Sequence, residues 1–574
     1  VTAPAAGAAA DQAAAGAAEA AEAAGPLDLL MSDAALGVLR LLRPDMSMLR
    51  LAAKLARRPR LTGGTAVLLT LEFGRIAAGR AAITPDRRDR RFADPAWTSN
   101  PLLNRIMQAY LAAGWTADRL LAAAELNWRD RERMKFLLSN LVAAAAPSNN
   151  PLISPAAWKA AIDTGGLSAV RGARNLASDL ATPPRVPSMV EPGAFEVGKD
   201  LAATPGAVVH RTGVFELIQY QPVTGTVHSY PLVIVPPMIN KFYITDLAPG
   251  RSMIEYLAGQ GHQVFVISWR NPDRRHRDWN LDTYGGAVVA ALEAACAITD
   301  APRASICALC SGGIVSAMVA AYLNETGRAD RLASLCLGVT VLDQSRAGTA
   351  AALVSEATAT AAKAASRRRG YLDGRALAEI FAWLRPDDLI WNYWVNNYLQ
   401  GNKPPPFDIL YWNADTTRLP AALHAGFIDI GLSNALTQPG KATMLGSPVD
   451  LSKTDVSGYV VAGVADHLCP WQACYRSARL LGGPVRFILS TSGHIASMVN
   501  PPGNPKATFQ TAPGTPADPR DWQTAASTVK GSWWPDYSAW LAERSGGPKG
   551  RPQALGNSSF LALGPAPGTY VLDR

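Results

Sequence analysis

Residues 304–313 read Ala304-Ser305-Ile306-Cys307-Ala308-Leu309-Cys310-Ser311-Gly312-Gly313, and the reading of this stretch decides the fold. The apolar run to Leu309 has strand character, and Ile314 through Leu323 has helix character. Cys310 lies between them, at the apex of a tight turn that lifts its side chain at the C-terminal edge of a sheet. Gly312 and Gly313 remove side chains that would clash as the helix packs back. A helix N-terminus favours negative charge, so the position suits a thiolate. The same geometry makes the backbone N–H of Ser311 a donor to an oxyanion.

Working outward, short apolar runs alternate with helical segments: Leu232–Val235, Val264–Ile267, Ser305–Leu309 and Leu335–Val341, then Tyr459–Val464 and Val485–Leu489. Val208-Val209-His210 and Phe215–Ile218 look like a pair of strands ahead of them. Continuous apolar strands alternating with helices indicate a parallel sheet buried on both faces. Asp466 follows one late strand and His494 follows the next, in Ser492-Gly493-His494. Nucleophile, acid and histidine in that order is the chain order of the α/β-hydrolase fold, with sulfur where serine is usual. His494 can accept the thiol proton, while Asp466 can orient the imidazole or help remove a proton from an incoming hydroxyl. His467, beside Asp466, is read as a hydrogen-bonding support of the loop. Ala308 stands where this turn usually begins with glycine.

The expected class is α/β: an α/β-hydrolase catalytic domain over 191–574, with a cap inserted at about 345–445. A mainly helical N-terminal domain over 33–190 precedes it, behind an Ala-rich low-complexity tail over 1–32. The Pro-rich stretch Pro183-Pro184-Arg185-Val186-Pro187 marks the boundary. Met48, Leu49, Leu51 and Leu55, interleaved with Arg50, Lys54, Arg57 and Arg58, form a basic amphipathic segment. It suits either packing on neighbouring helices or contact with an anionic surface. A longer helical region runs from Leu102 to Leu141, and the cap interval is rich in Trp and Ala.

The chain has 574 residues, 48% of them hydrophobic, and a net charge of +9. That excess favours anionic partners such as CoA phosphates or membrane-like surfaces. No nucleic-acid-binding motif is present, so no nucleic-acid role is expected. No basic segment precedes an apolar core near the start, and no charge-free apolar stretch of about 18 residues suggests a transmembrane segment. A cytoplasmic protein with six free thiols is the expectation. Cys307 and Cys310 form a C-x-x-C, but Cys307 falls inside the strand, and Cys469 and Cys474 lack the spacing of a zinc pair. No metal is expected.

Several longer phrases carry a resemblance. They include Val235-Pro236-Pro237-Met238-Ile239-Asn240-Lys241-Phe242-Tyr243, Ser268-Trp269-Arg270-Asn271-Pro272 and Ala308-Leu309-Cys310-Ser311-Gly312-Gly313. Asp388-Leu389-Ile390-Trp391-Asn392-Tyr393-Trp394, Asp466-His467-Leu468-Cys469-Pro470-Trp471 and Gly493-His494-Ile495-Ala496-Ser497-Met498 continue the set. With them, from about residue 35 to Ala566-Pro567-Gly568-Thr569-Tyr570-Val571, the chain resembles the polyhydroxyalkanoate synthases. It looks most like the long single-chain branch that polymerises medium-chain units.

The resemblance implies polymerisation of (R)-3-hydroxyacyl-CoA into polyester with release of CoA, through an acyl-Cys310 intermediate. Asp466 would be linked to elongation and His494 would be the base. The turn holding Met238 would supply the second oxyanion N–H. The CoA thioester is the substrate, so no cofactor is implied. A homodimer, a mobile cap and attachment to polyester granules in the cytoplasm are implied as well. The competing readings are a Cys-dependent hydrolase or thioesterase of the same fold, and a non-catalytic granule-coating protein.

Overall fold

A computed structural model describes residues 46–86, 89–345, 356–466 and 468–574. The tail over 1–32, the start of the Ala-rich stretch expected in the cap, and His467 lie outside the described residues. The described chain divides into two compact units. One takes in Phe195–Gly374 and Asp408–Arg574; the other joins the described residues up to Ala194 with Arg375–Phe407.

The first unit is built on an eleven-stranded sheet. Its strands are β1 (Gly206–Arg211), β2 (Phe215–Tyr220), β3 (Leu232–Val235), β4 (Val264–Trp269), β5 (Ala304–Leu309), β6 (Leu332–Gly338), β7 (Gly458–Gly463), β8 (Val485–Ser490), β9 (Thr508–Thr511), β10 (Ser527–Lys530) and β11 (Gly564–Pro565). Their spatial order is β10-β9-β8-β7-β6-β5-β3-β4-β2-β1-β11. Strands β3 to β8 pair in parallel, and the strands at both flanks run antiparallel. The swap of β3 and β4 about the centre, with helices between the parallel strands, is the α/β-hydrolase arrangement that the sequence leads one to expect.

Every residue of β3, β4, β5 and β7 is buried. That is why these strands read as continuous apolar runs rather than as alternating ones. The helix Leu281–Thr299 packs on β3, β4 and β5, and Asn280 and Thr283 form a capping box at its start. By length and composition alone this helix could cross a membrane, although it carries Asp282 and Glu293. In the fold, half of its apolar window is buried inside the unit.

The C-terminal phrase Gly568-Thr569-Tyr570 closes over the fully buried Glu216 of β2. Glu216 accepts from the N–H of Thr569 (2.9 Å), the hydroxyl of Thr569 (2.8 Å) and the N–H of Tyr570 (3.0 Å), and pairs with Arg211 at 2.6 Å. Gly568 is in the left-handed region, and a Cβ there would fall 2.4 Å from Glu216 Oε2. Only glycine fits.

In the second unit, the helical region expected from 102 to 141 is two helices, Pro101–Ala123 and Trp128–Ala144. The first ends where Glu125 turns to φ 48°, and Asn127 then caps the second by accepting from the N–H of Asp130 at 2.9 Å. The basic amphipathic segment forms the helix Met46–Ala56. Its Leu51 and Leu55 pack on Leu121, Leu126, Met134 and Leu137, and its Arg50 bonds Asp130 at 3.0 Å. This helix therefore spends its apolar stripe on its neighbours, whereas Met48 and Leu49 stay exposed.

The Trp-rich part of the expected cap is divided. Trp391 and Trp394 meet edge to face in the second unit, where Trp394 Nε1 donates to the Asn149 carbonyl at 3.1 Å. Trp412 belongs to the first unit and donates to the carbonyl of Lys241 at 2.7 Å.

Removing Glu216 leaves the N–H groups of Thr569 and Tyr570 without their acceptor. Glu216→Ala is expected to destabilise the first unit by about 2–4 kcal/mol, as read by denaturant unfolding. An unchanged midpoint would mean that the C-terminal closure contributes nothing.

Candidate active site

Three neighbouring strands deliver the site. Cys310 follows β5, Asp466 lies just beyond β7, and His494 opens the short helix that follows β8. Cys310 takes φ 50° and ψ −121°, a left-handed backbone that costs a non-glycine residue about 1–3 kcal/mol. Its N–H donates to the Gly338 carbonyl at 2.9 Å, and its carbonyl accepts from the N–H of Gly313 at 2.9 Å. Val339 (φ 43°) and Ser492 (φ 86°) are left-handed too, so strain gathers on the loops after β5, β6 and β8. For a β-branched residue such as Val339 this is exceptional. Its N–H is held by the Val461 carbonyl at 2.8 Å.

The glycines of the elbow are explained by what surrounds them. A Cβ on Gly312 would fall 2.5 Å from the carbonyl oxygen of Val235 and 2.6 Å from that of Pro236. A Cβ on Gly313 would fall 2.0 Å from Thr340 Oγ1. Ala308, by contrast, lies inside β5 between Val235 and Leu337. The left-handed residue is Cys310, so a methyl group at 308 leaves the turn unchanged.

His494 Nδ1 lies 2.8 Å from Asp466 Oδ2. With a carboxylate as acceptor, Nδ1 donates and Nε2 is left for the sulfur. Oδ1 of the same carboxylate accepts from the N–H groups of Leu468 (2.8 Å) and Cys469 (2.9 Å), which fixes the loop after β7. Cys310, Asp466 and His494 are all buried. The hydrogen bond from the Cys469 thiol, together with His494 and the N–H of Ser311, outweighs burial and holds the Cys310 thiol down, at about 6. Burial disfavours a charged imidazole, but Asp466 and the Cys310 sulfur prevail and hold His494 up, at about 10. The two charges favour each other: the imidazole lowers the thiol, and the sulfur raises the imidazole.

The other expected site residues are accounted for as follows. The Ser311 N–H faces the Cys310 sulfur. The Met238 N–H donates to Ser311 Oγ at 3.2 Å, so the two expected oxyanion donors are neighbours. Thr417 holds the Met238 turn by donating its hydroxyl to the Met238 carbonyl at 2.8 Å and its N–H to the Ile239 carbonyl at 3.1 Å. His467 is outside the described residues.

Two supports escaped the sequence reading. Trp533 and Trp534 donate their indole N–H groups to the carbonyls of Ser497 (2.8 Å) and Met498 (3.1 Å), pinning the helix that carries His494. A Trp-Trp pair near the end of a chain is a packing signal, but its partner is invisible without the fold. The second is Cys469, to which the sequence reading assigns no role. The fold sets its sulfur within 4.8 Å of both the Cys310 sulfur and a ring nitrogen of His494, three donors that could hold a soft cation. Its position just after Asp466 was the available signal.

Comparison with known proteins agrees with this architecture. Residues 88–257 match the family described as the N-terminus of poly-beta-hydroxybutyrate polymerase (PhaC), and residues 230–501 match the alpha/beta hydrolase fold family. Poly(3-hydroxyalkanoate) polymerase 1 of Ectopseudomonas oleovorans is 46% identical over 88% of this chain and 90% of its own length. Poly(3-hydroxyalkanoate) polymerase 2 of the same organism is 46% identical over 90% of this chain and 92% of its own. The poly(3-hydroxyalkanoate) polymerase subunit PhaC of Cupriavidus necator is 40% identical over 86% of this chain and 85% of its own.

The depressed thiol gives a directional test. Alkylation of Cys310 by iodoacetamide is expected to be slow below pH 6 and to rise to a plateau as the thiol ionises through about 6. His494→Gln should move that rise upward, toward the value of about 8.5 for an ordinary cysteine. Coincident profiles for the two proteins would mean that the imidazolium does not stabilise the thiolate.

Proposed function

This chain belongs to the poly(3-hydroxyalkanoate) polymerase family and is an acyltransferase; from that premise we propose that Cys310 carries the growing acyl chain, that His494 moves its protons and that Asp466 holds the imidazole. The observation that carries the reading is the buried chain of contacts from Asp466 through His494 to the thiol at the elbow.

The Cys310 thiolate attacks the thioester carbonyl of an (R)-3-hydroxyacyl-CoA. Negative charge develops on the carbonyl oxygen, and the N–H groups of Ser311 and Met238 are the proposed donors that stabilise it. For Met238 this requires its N–H to turn from Ser311 Oγ to the oxyanion. The C–S bond to CoA breaks, and the CoA thiolate leaves with the proton held on His494. His494, now neutral, takes the proton of a second unit's 3-hydroxyl as that oxygen attacks acyl-Cys310. An ester bond forms, the thiolate is released, and the imidazolium is restored.

Exchange of one thioester for another is nearly isoenergetic, whereas ester formation from a thioester is downhill. Sulfur at position 310 therefore suits both loading and elongation. Water competes with the hydroxyl for acyl-Cys310, and the burial of all three side chains works against it. Family membership also supports action as a homodimer on the polyester granule in the cytoplasm, with the interval 345–445 acting as a lid on substrate entry.

Purified protein given 3-hydroxybutyryl-CoA or 3-hydroxyoctanoyl-CoA is expected to release CoA and deposit insoluble polyester. Cys310→Ala should lower CoA release by about 10³-fold or more, because removing one member of a triad disables the unit. Free hydroxy acid equal in amount to the released CoA would instead identify a thioesterase. Undiminished turnover by Cys310→Ala would remove the proposed nucleophile.

A further inference from the structure

Cys469 has no task in the reaction above, yet it is 2% exposed and its sulfur faces that of Cys310. The two thiols reach each other from different loops, and both loops are held. Asp466 Oδ1 anchors the N–H of Cys469, and Cys474 Sγ donates to the Cys469 carbonyl at 3.6 Å. On the other side, the backbone of Cys310 is fixed to Gly338 and Gly313. A second close pair, Cys307 and Cys336, lies directly across β5 and β6, but both are fully buried strand residues, and among the described residues only Cys310, Cys469 and His494 bring two thiols and an imidazole together.

We propose that Cys310 and Cys469 are a hydroperoxide-reactive dithiol that closes to a reversible disulfide within the active site. The proposal rests on Cys310 being the reactive thiol, as above, but it is read out on the protein and not on the polymer. The Cys310 thiolate attacks an oxygen of a hydroperoxide, the O–O bond breaks, and the departing alkoxide or hydroxide takes the proton of the His494 imidazolium and leaves as alcohol or water, so that His494 is neutral. Cys310 is then a sulfenic acid. His494 takes the proton of Cys469, whose sulfur attacks the Cys310 sulfur, and the hydroxide that leaves recovers that proton as water. In sum, two thiols and one hydroperoxide give one disulfide, one alcohol or water from the hydroperoxide, and one further water; the sulfurs lose two electrons and the peroxide gains them.

The sulfurs must close from within 4.8 Å to the bonding distance of about 2.05 Å. The disulfide blocks polymerisation, because the nucleophile is tied up. It also protects that nucleophile, since a disulfide does not pass on to the irreversible sulfinic and sulfonic acids. A thiol reductant reopens the site.

The test uses the full chain, reduced, exchanged into buffer with a metal chelator, and treated with hydrogen peroxide. Non-reducing peptide mass spectrometry should find the Cys310 and Cys469 peptides linked, lighter by two hydrogens than the separate thiols. CoA release should fall as the link forms and return on adding dithiothreitol. In Cys469→Ala and Cys469→Ser the link is absent, Cys310 is found as sulfinic or sulfonic acid, and the fraction of each variant's own activity that reductant restores should drop by about tenfold. Cys336→Ala serves as the control and should keep both the link and its recovery.

The proposal is overturned if peroxide leaves wild-type Cys310 as sulfinic or sulfonic acid with no link to Cys469, if Cys310 stays unmodified, or if recovery in the Cys469 variants equals that of wild type. A linked peptide in a protein whose Cys310→Ala variant still polymerises would uphold the dithiol and sink the assignment of Cys310 as the polymerising nucleophile.

Discussion

The helix Ser311–Glu325 starts so close to the backbone leaving β3 that no Cβ fits at Gly312, and so close to Thr340 that none fits at Gly313. This approach forces the chain to reverse at Cys310 in a left-handed conformation, and the reversal lifts the sulfur above the sheet edge. The remaining features of the site are placed relative to that sulfur. The Met238 turn comes alongside because β3 pairs with β5, and the N–H of Ser311 faces the thiol because it opens the helix. The strain stored at Cys310, Val339 and Ser492 is held by the hydrogen-bonded strands behind them.

Asp466 links this geometry to the chemistry. One of its oxygens fixes the tautomer of His494, and the other fixes the loop that presents Cys469. A buried carboxylate with three hydrogen-bond partners can support an imidazolium beside a thiolate, and an uncompensated charge at that depth would not persist. The indoles of Trp533 and Trp534 hold the helix of His494 from behind. The site is thus clamped from the C-terminal part of the chain, while the closure of that part on Glu216 secures the opposite edge of the sheet.

Much of this was legible in the sequence. The buried parallel strands announced themselves as unbroken apolar runs, and the order of Cys310, Asp466 and His494 matched the order of the strands that present them. Ala308 departs from the usual glycine yet is expected to preserve the turn, and its position within β5 gives the reason: the left-handed residue is Cys310. The helical region from 102 to 141 reads without its break, which lies at the left-handed Glu125 and the Asn127 cap that follows it, local signals easily lost beside a long apolar periodicity. The Trp-rich interval could be seen as unusual, but its division between two compact units could not, since aromatic content does not specify a packing partner.

What the sequence determined by itself is the local chemistry: which strands are buried on both faces, which turn needs small residues, and which residue types recur at strand ends. These follow from periodicity and from steric limits within a few residues. What only the tertiary structure decided is which distant groups meet. Cys469 stands beside Cys310, and Trp533 and Trp534 support the histidine helix, because strand pairing between β5, β6, β7 and β8 brings together loops that lie far apart along the chain. Such meetings depend on sheet order and on the register of each strand, and no spacing within the sequence encodes them.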